Sequence, residues 1–172
     1  MKKIISSFLF CLLVTASVYA EEPKYYFGAS YLIAEADLMG ETDNDSGFEA
    51  RFGYILNKNF SFEASYLDLG TLELPNFQDS GGSVETDGYS IAALGIYPIG
   101  AFNLIGKVGY LWWDSEGTLG SIAGPVDVSS DGSDLIIGGG LSYIFTERIE
   151  IKIEYNNSQQ FNWGSIGINY RF

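Results

Sequence analysis

The chain has 172 residues, with 22 acidic against 9 basic side chains, a formal net charge of −13 and no histidine. Such acidity argues against nucleic acid as a partner. Twelve Tyr, twelve Phe, three Trp and 21 Gly suit strands with tight interior packing and do not suit disorder.

The first twenty residues read as an export leader. Lys2 and Lys3 give a positive start, Ile4 to Val14 an apolar run, and Val18-Tyr19-Ala20 a small-residue site with cleavage expected after Ala20. The run is too short for a spanning helix, which needs about 20 apolar residues. Cys11, the single cysteine, follows bulky Phe10 and precedes more apolar sequence, which does not suit a lipoprotein anchor. It leaves with the leader, so no disulfide or thiol chemistry is expected. Residues 21–172 then form one domain of about 150 residues, with seven basic side chains against 22 acidic.

Eight alternating segments follow in chain order. Lys24 to Ala34 sets Tyr25, Phe27, Ala29, Tyr31 and Ile33 on one face. Gly47 to Leu56 alternates Phe48, Ala50, Phe52 and Tyr54 with Glu49, Arg51 and Gly53; Asn59 to Leu69 places Phe60, Phe62, Ala64 and Tyr66 opposite Ser61, Glu63 and Ser65. The fourth segment, Gly88 to Tyr97, is apolar on both faces, and Tyr89, Ile91, Ala93 and Tyr97 are assigned outward. Phe102 to Trp113 interleaves Leu104, Val108, Tyr110 and Trp112 with Asn103, Lys107 and Gly109. Asp134 to Phe145 sets Leu135, Ile137, Leu141 and Tyr143 against Gly138, Gly140 and Ser142. The seventh is the clearest, with Ile149, Ile151, Ile153 and Tyr155 against Glu150, Lys152, Glu154 and Asn156; the eighth runs from Phe161 to Phe172. Each is about the 9–11 residues that a tilted strand needs to cross a bilayer.

The connections alternate in length. Leu56 to Asn59, Pro98 to Ala101 and Thr146 to Arg148 are tight, whereas Glu35 to Ser46, Asp68 to Asp87 and Asp114 to Ser133 are longer; Asn157 to Gln160 is short. Short and long turns alternate in this way in transmembrane barrels, and an even strand number brings both termini to the short-turn side.

The predicted fold class is therefore all-β, an eight-stranded antiparallel transmembrane barrel with its apolar face toward lipid. Glu49, Arg51, Glu63, Lys107, Glu150, Lys152, Glu154 and Arg171 fall on the other face. Four acids against four bases suggest a paired network filling the lumen, since an unpaired buried charge is costly. A water-filled pore needs a barrel nearer 16 strands. The soluble alternative, a lipocalin-like barrel with the apolar face inside, fits less well with the leader, the alternating loops and the aromatic strand ends Tyr25, Tyr54, Tyr97, Trp112, Tyr143, Tyr155, Tyr170 and Phe172.

In the closing strand Ile166, Ile168, Tyr170 and Phe172 alternate with Ser165, Gly167, Asn169 and Arg171. That ending, and the hairpin from Ile137-Gly138-Gly139-Gly140 through Thr146-Glu147-Arg148 to Tyr155, resemble the small outer-membrane barrels of the OmpA, OmpX and Ail type, also called the porin family. The resemblance covers residues 21–172. It implies a closed, non-enzymatic barrel with variable surface loops in the outer membrane of a Gram-negative bacterium, and a terminal strand read by the barrel-assembly machinery. The resemblance is to the barrel part of OmpA, and its wall-binding domain is not expected here.

No catalytic residue, cofactor or metal site is assigned. Outer-membrane enzymes that act on lipid A or cleave peptides use a histidine for proton transfer or orientation, and this chain has none. Without His or mature Cys, only oxygen ligands remain, which suit hard cations such as calcium. Gly117 to Gly124 lacks the Lys of a phosphate loop. Fifteen carboxylates, and no Lys or Arg, crowd the three longer loops: Glu35, Asp37, Glu41, Asp43 and Asp45, then Asp68, Glu73, Asp79, Glu85 and Asp87, then Asp114, Glu116, Asp127, Asp131 and Asp134. Asp43-Asn44-Asp45-Ser46-Gly47 matches only the start of a calcium loop. The expected partners are outer-membrane lipid, lipopolysaccharide and the assembly machinery, with a cell-surface partner reached through the loops. The expected role is structural or surface-interacting. An adhesin or host-resistance factor acting through the acidic loops is the second reading, and a narrow ion channel the third.

Overall fold

The computed structural model describes residues 23–38, 41–73, 82–119 and 126–172; the expected cleavage site at Ala20 lies outside them. Eight antiparallel strands close into one barrel in chain order: β1 (Tyr25–Leu38), β2 (Glu41–Asn57), β3 (Phe60–Glu73), β4 (Gly82–Ile99), β5 (Phe102–Leu119), β6 (Val126–Ile144), β7 (Ile149–Asn157) and β8 (Phe161–Arg171). β1 pairs with β8, from Tyr26 opposite Arg171 to Ala36 opposite Phe161, so the sheet has no free edge. Beyond that register, Tyr25 N–H donates to Phe172 O at 3.1 Å and Phe172 N–H donates to Tyr25 O at 2.9 Å. Closure pairs the backbone groups within the sheet, which is the condition for crossing hydrocarbon.

The period of two decides what each face meets. Tyr31, Ile91, Ile137, Ile153 and Ile168 are each more than half exposed on the outside of the barrel. A continuous apolar band of this extent is covered by lipid. β4, apolar on both faces, turns Tyr89, Ile91, Ala93 and Tyr97 outward and buries Ala92 and Leu94. Aromatic rings group at both ends of the band. At the end carrying the termini and short turns (the terminal end), Tyr25 lies 5.3 Å from Tyr54 and Phe102 lies 4.9 Å from Tyr143, centroid to centroid. Toward the other, loop end, Tyr66 lies 5.3 Å from Tyr89 and Tyr110 lies 5.0 Å from Trp112.

The longer connections depart from the sequence reading. Most of the three segments expected as loops is strand: β1 and β2 run on to Leu38 and from Glu41, β3 and β4 to Glu73 and from Gly82, β5 and β6 to Leu119 and from Val126. Alternation marks a strand only where one face meets something apolar. Past the bilayer band that contrast fades while the hydrogen-bonded ladder continues. A bulge interrupts the ladder between Asp68 and Thr71, where Gly70 has φ +90°. Asp68 Oδ1 accepts from Gly70 N–H at 3.0 Å, and Asp45 Oδ2 accepts from Thr71 N–H at 2.5 Å across the hairpin. A side chain at Gly70 would be strained by that φ and would press on the Asp45 carboxylate.

Candidate functional site: the filled lumen and the acidic rim

All eight charged residues assigned to the inner face lie inside the barrel, and the structure divides them into two groups. Six form a central network. Arg51 contacts Glu49 at 2.8 Å and Glu154 at 3.2 Å; Lys107 contacts Glu63 at 2.8 Å and Glu154 at 3.5 Å; Lys152 contacts Glu63 at 2.8 Å and Glu154 at 2.9 Å. Arg51 therefore reaches across the lumen to Glu154 of β7, while the two lysines clamp Glu63. Tyr26, which sequence reasoning passed over, donates its hydroxyl to Glu63 Oε2 at 2.7 Å, and Ser30 Oγ accepts from Arg51. Three cations meet three carboxylates, so charge balances within the layer.

The remaining two pair nearer the terminal end, with Arg171 Nη2 on Glu150 Oε1 at 2.9 Å. Glu150 also accepts from Ser142 at 2.5 Å, Asn169 at 3.2 Å and Asn103 at 3.4 Å. Arg171 itself is partly open to solvent.

An apolar layer on the loop side of these charges has no counterpart in the sequence reading. Leu32 and Ala34 of β1, Leu67 and Leu69 of β3, Leu111 and Trp113 of β5, Ile136 of β6, and Phe161 and Trp163 of β8 form one buried cluster. Trp113 meets Phe161 edge-on at 5.5 Å and donates its indole N–H to Asp134 Oδ2 at 3.2 Å. Asp134, expected among the solvated loop carboxylates, is instead buried in the lumen as the acceptor of that bond. Inward glycines yield space to these large neighbours: a Cβ on Gly88 would meet Leu111, and one on Gly132 would meet the Trp113 ring. The signal in the sequence is a change of polarity along one unbroken inward phase. In β8 the inward set runs Arg171, Asn169, Gly167 and Ser165, then turns apolar at Trp163 and Phe161.

The outer face of the strand extensions brings carboxylates into register. Asp68 of β3, Asp87 of β4, Asp114 of β5 and Asp131 of β6 are successive cross-strand partners. Direct cross-strand neighbours have Cβ atoms about 4.5–5.5 Å apart, and like charges so placed repel. Two residues further out, Glu85 faces Glu116. The aspartate row lies immediately beyond the aromatic row Tyr66, Tyr89 and Trp112, and Tyr66 donates its hydroxyl to Asp87 Oδ2 at 3.1 Å. Asp127 accepts from Thr118 Oγ1 at 3.2 Å. The side chains of Glu35, Asp37, Glu41, Asp43, Glu73 and Asp79 lie outside the described residues. Among the described residues no three acidic side chains converge closely enough to hold a metal ion by themselves. Asp45, in the calcium-like segment, spends its carboxylate on the N–H groups of Ser46 and Thr71.

In the terminal strand, Ile166, Ile168 and Tyr170 face out toward lipid, and Phe172 stacks beside Tyr25 at 6.1 Å.

Apolar outside, charged inside and closed on itself, the molecule is a transmembrane β-barrel. Over residues 6–172 the chain matches the family model described as the outer membrane protein β-barrel domain, and it belongs to that family. It is similar in fold to Ail, the attachment invasion locus protein of Yersinia pestis, with 19% identity, a TM-score of 0.63, and 88% of this chain and 100% of that chain covered. Neisserial surface protein A has 16% identity and a TM-score of 0.63, with coverage of 86% and 97%. OprG from Pseudomonas aeruginosa has 11% identity and a TM-score of 0.61, with coverage of 88% and 97%. No curated protein matches the chain.

Proposed function

We infer that the protein is a sealed, non-enzymatic barrel of the bacterial outer membrane whose working surface is its acidic outer rim. The observation that carries this reading is the aspartate row Asp68, Asp87, Asp114 and Asp131, held in register just beyond the aromatic row. In barrels of this kind the longer loops face out of the cell, where the rim meets the phosphates of lipopolysaccharide. Two negative layers associate when divalent cations bridge them, each ion shared between a carboxylate and a phosphate. Oxygen-only sites of this type bind calcium with dissociation constants of about 10⁻⁴–10⁻³ M. Export by a leader cleaved after Ala20, and insertion guided by Ile166, Ile168, Tyr170 and Phe172, belong to the same reading.

The test is association of the folded barrel, held in lipid nanodiscs, with lipopolysaccharide in millimolar calcium and in sodium of matched ionic strength. Matching removes simple screening as an explanation. Retention in calcium alone, lost when the four aspartates are changed to Asn, is expected. Equal retention in both salts would contradict it.

An adhesive or resistance role through the same rim is the second reading. Ail has been solved with the heparin analogue sucrose octasulfate. Here the three loop segments carry no Lys or Arg, so a polysulfate would be repelled, and a partner with a cationic surface is the form such a role takes.

A further inference from the structure

The lumen has a second, unassigned compartment. Between the terminal mouth and the charged layer lies a cavity of about 300 Å³, within the size range of small-molecule sites. One wall is aliphatic, built from Leu94 and Ile96 of β4, Ile105 of β5 and Ile144 of β6. This accounts for the fourth strand being apolar on both faces: one face meets lipid and the other lines the cavity. The polar wall adjoins it: Ser61 is the cross-strand partner of Leu94 and Glu150 that of Ile144, with Asn169 and Arg171 on β8.

The polar wall is incompletely satisfied. Ser61 is almost wholly buried, yet its Oγ has no hydrogen-bond partner, nor has Arg171 Nε, and both groups can donate. Buried polar atoms ordinarily find a partner in protein, water or ligand. Within the lining Lys152 is held by Glu63 and Glu154 and Arg171 by Glu150, which leaves Lys58 at the mouth as a cation without a carboxylate partner among the described residues. Glu150 is already engaged by Arg171, Ser142, Asn169 and Asn103. Water would satisfy the polar wall but gains nothing from the aliphatic one.

We propose that this mouth is a binding site for a small anionic amphiphile, a monocarboxylate whose alkyl tail lies against Leu94, Ile96 and Ile105 while its head group accepts hydrogen bonds from Ser61 and Arg171. The site goes beyond the role of the rim and does not depend on it.

Octanoate, with octylammonium as the cationic control, tests the assignment on the folded barrel in nanodiscs by amide NMR. Saturable shifts centred on Ser61, Leu94, Ile105 and Asn169 are expected with octanoate and not with octylammonium. Ile96→Glu, its fold checked by heat-modifiable gel mobility, places a carboxylate on the lining and should weaken octanoate at least tenfold, whereas Ile96→Gln should weaken it less. Absence of saturable shifts would mean that the mouth holds water only and would overturn the assignment. Shifts spread over lipid-facing amides, equal response to octylammonium, or indifference to Ile96→Glu would overturn it as well. If Ile96→Glu does not fold, the comparison of octanoate with octylammonium on the unmodified protein decides.

Discussion

Asp87 of β4 stands directly opposite Asp114 of β5 on the outer face of the sheet, with Asp68 and Asp131 continuing the row on either side. An antiparallel pair brings such residues close enough for repulsion to be felt. The row persists because eight closed strands hold it, so the local cost is borne by the whole ladder.

Relief of that repulsion should be measurable. Asp114→Asn removes one charge from the middle of the row and is expected to raise stability at low ionic strength by about 0.2–1 kcal/mol, the size of a cross-strand pair term. Urea unfolding in lipid vesicles should show the gain shrinking as salt or calcium is added, because exposed charges are screened. A gain that is independent of salt would assign the effect to something other than charge.

The central network predicts a larger loss. Arg51→Ala leaves Glu49 and Glu154 without the guanidinium that holds them at 2.8 and 3.2 Å, and breaking a buried pair costs about 3–5 kcal/mol. Arg171→Ala should cost clearly less, because Arg171 is partly exposed and Glu150 keeps three other donors. Unfolding midpoints of the two variants, measured side by side, check the ranking. Equal losses would mean that solvent reaches both groups alike.

Two glycines of neighbouring strands separate inner from outer packing. A Cβ at Gly138 would run into the Asn156 side chain and the Tyr155 carbonyl, whereas one at Gly106 has open space around it on the lipid side. Gly138→Ala is therefore expected to destabilise by about 1–3 kcal/mol, the usual cost of overpacking, and Gly106→Ala to be tolerated. Refolding yield and urea midpoint would report both.

The facing of the strands is legible in the sequence because lipid enforces a period of two: Ile149, Ile151 and Ile153 against Glu150, Lys152 and Glu154 fix the register of β7. Alternation also suffices to put the eight charged residues on one face. Which of them meet is not legible, because the contacts run across the lumen, as from Arg51 to Glu154, 103 residues away. The apolar layer is hidden for a related reason. Leu32, Leu111 and Trp163 share the inward phase with Ser30, Lys107 and Ser165, so each strand reads as mixed until all are brought to one level. The aspartate row needs the pairing of β3 through β6 beyond the bilayer, where no hydrophobic contrast marks the strands.

The most direct test is the conductance of the folded barrel in a planar bilayer. Six paired charges and the apolar cluster around Leu32, Leu111 and Trp113 fill successive levels of the lumen, and a barrel of about eight strands is filled by side chains. The account predicts no unitary openings from the intact protein across the voltage range the bilayer withstands. Reproducible single-channel steps from correctly folded, heat-modifiable protein would show a continuous water path and contradict a sealed barrel.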